Sequence, residues 1–259
     1  SAVWRQIAGI SELVRLIRDE AVLWEEPKKG SQQALSGRLN TLPAELFLNV
    51  LNLLLPQMQQ RWQDRKRPLP PEISWVQERF TACLIVDGST LDALIRKVGL
   101  LRDLDQNPLA GKMTALLHLG SQLPDKIWFD NRPTSHDQTF WEQIVKYVKA
   151  GSLLLFDLGY TNFTRFKELT EKDIKFITRA KSNLKYEADS YLTQTPMFRD
   201  TIIWIGEDDT RQKLRLIEVL YGNKWLRYLT NELDPERLPA RHLVSLYYRR
   251  WSIERAYAT

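Results

Sequence analysis

Ala82-Cys-Leu-Ile-Val-Asp87 and Gly151-Ser-Leu-Leu-Leu-Phe-Asp157 decide the fold, because each is a short apolar run that ends in an acid. Continuous apolar runs of this length predict strands buried on both faces, as in sheets covered by helices on either side. Working outward, Lys112 to Leu119 and Lys126 to Asp130 predict two more strands, joined by a turn at Gln122-Leu-Pro-Asp125. Ser135 to Lys149 predicts a helix capped by Ser135. A helix from about Asn162 to Leu169 and a strand from Ile174 to Thr178 come next. The order strand, strand, strand, helix, strand, helix, strand predicts an α/β fold, a mixed sheet with helices on both faces.

The flanks have a different texture. Residues 1–75 read as a helical region, with Ile7, Ile10, Leu13, Val14 and Ile17 at helical spacing. Pro43 stands in the first turn of a second apolar helix that is expected to end at Pro56. Arg61, Arg65, Lys66 and Arg67 follow, and the proline-rich segment Pro68 to Pro71 marks a boundary. The second region spans 76–259 and is interrupted at about 183–236. There Ile202 to Ile205, Leu214 to Leu220 and Trp225 to Thr230 are strand-like runs separated by polar turns at Glu207-Asp-Asp and Gly222-Asn223. This reads as a β-rich insertion ahead of a final helix that starts near Pro239.

Composition bounds the function without choosing it. With 43% hydrophobic residues in 259, the chain can bury one large core. A net charge of +5 is compatible with a polyanionic partner but does not demand one. Cys83 is the single cysteine, which excludes a disulfide framework and a cysteine zinc site, and it reads as a small core residue. No leader peptide is read at the start, and Leu46 to Leu55, broken by Asn49 and Asn52, is too short to span a bilayer. The expectation is a soluble protein of a reducing compartment, without a membrane partner. The opening without methionine and the stop at Thr259 inside a helical pattern read as a trimmed fragment.

The two strand-ending acids are the first chemical signal. On neighbouring parallel strands their carboxylates would face each other across about 5 Å. Like charges that close need a cation or a proton between them, and oxygen donors suit Mg²⁺ or Mn²⁺. The competing reading is that each acid merely opens a turn, at Asp87-Gly88 and Asp157-Leu-Gly159. The final helix adds Tyr247, Arg250 and Glu254. At about 100° per residue Arg250 lies about 60° and Glu254 about 20° from Tyr247, a single stripe. Leu243 and Trp251 border that stripe and predict that it faces the core. A carboxylate and a guanidinium there need partners, a metal or a phosphate. An Arg250–Glu254 ion pair on a solvated face is the alternative.

Tyr247-x-x-Arg250-x-x-x-Glu254, set in Tyr-Tyr-Arg-Arg-Trp-Ser-Ile-Glu, resembles the Y-R-E-K signature of insertion-sequence-four-type bacterial DDE transposases. Val86-Asp87-Gly88-Ser89 is similar to that family's first-aspartate motif and Asp157-Leu-Gly-Tyr160 to its second. Phe176-Ile-Thr-Arg-Ala-Lys-Ser-Asn183 and Thr230-Asn231 resemble the segments that follow. The signature's lysine, seven residues after Glu254, falls at a position beyond Thr259.

The resemblance implies a ribonuclease H-like fold and two Mg²⁺ or Mn²⁺ ions, roughly 3.5–4 Å apart, held by Asp87, Asp157 and Glu254. It implies cleavage of double-stranded DNA at terminal inverted repeats and strand transfer to target DNA, with Tyr247 and Arg250 on the phosphate beside the scissile bond. A homodimer on paired ends and a cytoplasmic, nucleoid-associated location are also implied. Arg179, Lys181 and Lys185 follow a strand that leaves the site and read as DNA-backbone contacts, and the Arg61 to Arg67 cluster as a contact to terminal DNA. Trp204 and Trp225 read as hairpin packing rather than as a wedge for a flipped base. His118 and His136 read as structural. The rival readings are a nuclease of the same fold that cuts without joining, and an inactive or truncated remnant that binds DNA.

Overall fold

Alternation along the two aspartate strands splits the core into two layers. In the computed structural model, which describes residues 10–19, 29–41, 44–65, 68–90, 112–130 and 139–251, β1 (Cys83–Thr90) and β4 (Leu153–Leu155) are parallel neighbours. Leu84, Val86, Leu154 and Phe156 point to one face of the sheet; Cys83, Ile85, Leu153 and Leu155 point to the other. Both sets are fully buried, which is why these runs show no polar alternation.

β2 (Lys112–His118) adds antiparallel to β1, β3 (Pro124–Asp130) antiparallel to β2, and β5 (Lys175–Arg179) parallel to β4. Four further strands follow: β6 (Glu187–Gln194), β7 (Phe198–Ile205), β8 (Gln212–Tyr221) and β9 (Lys224–Thr230). They form an antiparallel meander that joins the same sheet through β9 against β5. The result is one nine-stranded mixed sheet in the order β3-β2-β1-β4-β5-β9-β8-β7-β6.

Seven helices lie among the described residues: α1 (Ile10–Asp19), α2 (Gln32–Thr41), α3 (Ala44–Asp64), α4 (Pro71–Gln77), α5 (Trp141–Tyr147), α6 (Phe163–Glu171) and α7 (Ala240–Arg249). On one face α5 and α6 bury Trp141, Ile144, Phe166 and Leu169 against the sheet. Trp141 Nε1 donates to Glu168 Oε2 at 2.9 Å and ties these two helices together. On the other face α4 and α7 bury Ile73, Val76, Leu243, Leu246 and Tyr247. Glu72 locks that pair, accepting from Arg249 Nε at 2.8 Å and from Ser245 Oγ at 3.1 Å.

The aromatic centre of the first layer is Phe176, stacked on Phe166 at 4.5 Å and set against Phe156 at 5.5 Å. Removing a fully buried ring of this kind leaves a cavity that rigid neighbours cannot close. Phe176→Ala is therefore expected to cost about 3–5 kcal/mol, read as a lowered denaturant midpoint at constant slope.

Several boundaries differ from the sequence reading. The helix through Pro56 does not stop there but continues to Asp64. Proline deletes one donor, yet the turns beyond it dock on the β2–β3 hairpin: Trp62 packs on His118 and Gln59 Nε2 donates to the Pro124 carbonyl. The proline-rich segment Pro68 to Pro71 leads directly into a helix, α4, with Pro71 in its first turn. The helix expected from Ser135 starts at Trp141, after a turn at 139–140; Ser135 and His136 lie outside the described residues. β6 escaped the reading because an exposed, polar edge strand carries no apolar alternation. Trp251, expected on the buried stripe, is half exposed, two residues past the end of α7 at Arg249. Arg250 covers its ring at 5.0 Å.

Candidate active site

Register places the charged groups in one row. Ile85 pairs with Leu155 across β1 and β4, and Leu155 with Ile177 across β4 and β5. Two residues further on stand Asp87 in β1, Arg179 in β5 and, just past the end of β4, Asp157, whose carbonyl accepts from Thr178 Oγ1 at 3.3 Å. Because two is the side-chain period of a strand, Asp87 and Arg179 project to the face of Ile85 and Ile177. Asp157, with extended backbone, acts from the same side on the Tyr247 phenol. That is the face covered by α4 and α7. Tyr228, opposite Arg179 on β9, extends the row by one.

The two acids sit there in different ways. β1 runs on through Thr90, paired with β2 as far as Lys112, so Asp87 is inside a strand and opens no turn. Asp157 does serve a turn: its Oδ1 accepts from Gly159 N at 2.8 Å and caps a short 3₁₀ segment, Leu158–Tyr160. One oxygen holds the backbone, while extended backbone geometry keeps the carboxylate on the site face.

From the opposite side α7 supplies Arg250 and Tyr247, both buried. Arg250 Nη1 lies 3.6 Å from Asp87 Oδ1, an ion pair at a distance too long for a good hydrogen bond. The Nε atoms of Arg250 and Arg179 are buried with no hydrogen-bond partner among the described residues. Such donors cost free energy until something accepts from them. Burial pushes the Tyr247 phenol above its ordinary value and the Asp157 charge adds to this, while Arg250 and Arg179 pull against it. Tyr228, edge-on to Tyr247 at 5.3 Å, is also raised by burial and opposed by Arg179.

A raised phenol is neutral in the folded state when the unfolded chain would already ionise. Its contribution to stability is thus complete below about pH 10, the unfolded value, and lost as pH rises through the folded value. Tyr247→Phe is expected to lose less stability than the parent between pH 10 and 11.5, measured by denaturant midpoint; equal losses would contradict the burial of this hydroxyl.

The remaining expected residues are placed as follows. Glu254 lies outside the described residues. Among the described residues no group of three or more His, Cys, Asp or Glu side chains is arranged to hold a metal ion. Asp87 in β1 and Asp157 just past the end of the adjacent β4 are oxygen donors of like charge, a donor type that fits a hard divalent cation. Lys181 and Lys185 do not join the row. They line a cavity of about 750 Å³ with Phe163, Trp204, Arg211 and Leu229. Leu229, Ile205 and Phe163 belong to the α5–α6 layer, so this cavity opens away from the aspartates. Trp204 is taken up internally: its Nε1 donates to Asp189 at 3.0 Å, with Arg211 and Lys213 each 5.0 Å from its ring. Trp225 carries Arg199 at 4.5 Å. His118 is half-buried, which lowers its pKa against the pull of Asp125. Cys83 is buried and its thiol is pushed up to about 12.

Sequence reasoning missed Tyr228. Counting back along β9 from Thr230-Asn231 would have found it. Asn231 fixes that end of β9, accepting from Phe176 N at 2.8 Å and donating to the Ile174 carbonyl at 2.9 Å.

No described helix is long and apolar enough to cross a membrane. A family model described as "Transposase DDE domain" matches residues 112–259, more than half of the chain. The match takes in Asp157, Arg179, Tyr247, Arg250 and Glu254, but begins after Asp87, whose placement rests on strand register. No curated protein matches the chain.

Proposed function

The chain belongs to the transposase DDE domain family, and we propose that it is a transposase of the Y-R-E-K-signature, insertion-sequence-four type, which cuts double-stranded DNA at element ends and joins the ends to target DNA. The observation that carries this reading is the row Asp87, Asp157 and Arg179 facing Tyr247 and Arg250 of α7. The order β3-β2-β1-β4-β5, three antiparallel strands followed by two parallel ones, supports a ribonuclease H-like core with β6–β9 as its insertion.

Asp87 and Asp157, joined by Glu254, would hold two Mg²⁺ or Mn²⁺ ions. Such ions, when bound, activate the attacking oxygen and neutralise charge on the leaving oxygen of the phosphodiester. The protein groups position and neutralise. Arg250 brings a guanidinium whose Nε lacks a partner among the described residues, and a fork of this kind grips a phosphate through two donors. Arg179, whose Nε also lacks a partner among the described residues, would take the neighbouring phosphate. Tyr247 keeps its proton at neutral pH and offers it as a donor. The low exposure of Arg250 and Asp87, 6% and 15% of their side chains, excludes most water and strengthens these contacts.

The proposal extends to terminal inverted repeats as the bound DNA, to a homodimer on paired ends, to DNA-end contacts from the N-terminal helical region, and to a nucleoid-associated location. Incubating the protein with Mg²⁺, a labelled duplex carrying the DNA that flanks its gene, and a supercoiled target tests the chemistry. Cut ends joined to the target are expected. Cutting without joining would reduce the protein to a nuclease, and binding without cutting to an inactive remnant.

A further inference from the structure

Beneath the insertion, one buried ion pair reaches the root of the helix that carries Tyr247 and Arg250. Arg215 on β8 is fully buried, and Asp200 on β7 accepts from its Nε at 2.8 Å and from its Nη2 at 2.6 Å. The remaining nitrogen, Nη1, donates at 2.7 Å to the carbonyl of Leu238, two residues before α7 begins. Asp200 stands opposite Ile217, and Ile217 opposite Tyr228, so the pair shares the sheet face of the proposed active site. Pro239, the N-cap of α7, offers no side-chain hydrogen bond. The chain entering the helix is also held by Trp75 Nε1, which donates to the Arg237 carbonyl at 3.2 Å, and by the burial of Leu238. Arg215 is the contact that comes from the meander.

We infer that Arg215, held rigid by Asp200, is a positioning residue that sets the angle of α7 and thereby the place of Tyr247 and Arg250 over the aspartates; this rests on the transposase reading above. A neutral group of the same shape would fill the space. Only a forked cation can accept the grip of Asp200 and still spare a donor for a backbone carbonyl. The lever is long. From Ala240 to Arg250 the helix advances roughly 15 Å, so a tilt of about 5° moves Arg250 by roughly 1.3 Å. Misplacement of about 1 Å in a positioned catalytic group is enough to cost on the order of 100-fold in rate. On this account the meander β6–β9 is more than an appendage, since its inner strands hold the helix in register with the site.

The test uses the full chain and a variant that deletes the donor without stranding a charge, Asp200→Leu with Arg215→Met. Removal of both ions together keeps the core apolar and avoids the unpaired charge that a single substitution would leave. Hydrogen exchange over residues 239–250 is measured alongside metal-dependent cleavage of duplex DNA. Expected are a cooperative melt close to that of the parent, exchange at least 10-fold faster in α7, and kcat lowered at least 10-fold with KM for DNA changed less than twofold. Unchanged exchange in α7 overturns the inference whether or not the protein cuts DNA, as does faster exchange with unchanged kcat. If the double variant does not fold, Arg215→Lys, which keeps a cation for Asp200 but lacks the fork, is measured in the same way and judged by the same results. A parent that cuts no DNA contradicts the transposase reading, and the exchange result alone then decides the anchor.

Discussion

Asp157→Asn is expected to lower metal-dependent DNA cleavage by about 10³-fold or more while DNA binding stays within a few-fold of the parent. The substitution is nearly isosteric, and an amide oxygen accepts from Gly159 N as the carboxylate does at 2.8 Å, so the turn at Leu158–Tyr160 survives. What disappears is one negative charge in a row that holds two. If that charge helps to bind cations contributing several kcal/mol to the transition state, about 4 kcal/mol corresponds to about 10³ in rate. Asp87→Asn is expected to give a similar loss, with a second consequence, because Arg250 loses its ion-pair partner at 3.6 Å. Cleavage of a labelled duplex and fluorescence anisotropy with the same duplex separate chemistry from binding. Survival of cleavage in either purified variant would remove that aspartate from the site.

Asp200→Ala is expected to destabilise the fold by about 3–5 kcal/mol, because it leaves Arg215 charged, buried and stripped of its bidentate partner. For a chain of this size that corresponds to a fall of roughly 10 °C in Tm. The double replacement with Leu and Met is expected to lie much nearer the parent, since the desolvation of two ions is removed together with their attraction. Thermal melts of the single and double variants distinguish the two. A single variant as stable as the parent would show that water reaches Arg215, contrary to its complete burial.

The strands that build the site were legible because burial on both faces leaves a mark in the sequence. Cys83 to Val86 and Leu153 to Phe156 are apolar without interruption, and the acid that ends each run stands out against them. The stripe on α7 was legible for a similar reason: Leu243 and Tyr247 are buried at helical spacing, and Arg250 shares their side. What the sequence concealed was pairwise. That Asp87, Asp157 and Arg179 share one row depends on register between strands far apart in the chain, which no local pattern encodes. Lys181 and Lys185 looked like a continuation of Arg179, yet β5 ends at Arg179 and the chain turns into the loop that lines the opposite cavity. Pro56 looked like a terminus because propensity is local, whereas the contacts of Trp62 and Gln59 that carry the helix onward are not. The Asp200–Arg215 pair was invisible for the same reason: two ordinary polar residues on adjacent strands acquire a role only when both are sealed from water.

The central claim is that Asp87, Asp157 and Glu254 form one cation site beneath Tyr247 and Arg250. The most direct test is a crystal structure of the protein grown with Mn²⁺, read by anomalous scattering. The account predicts manganese peaks bound by the carboxylates of Asp87 and Asp157, with the Glu254 carboxylate on the same ions. Manganese elsewhere, or Glu254 on the α5–α6 side of the sheet, would contradict it.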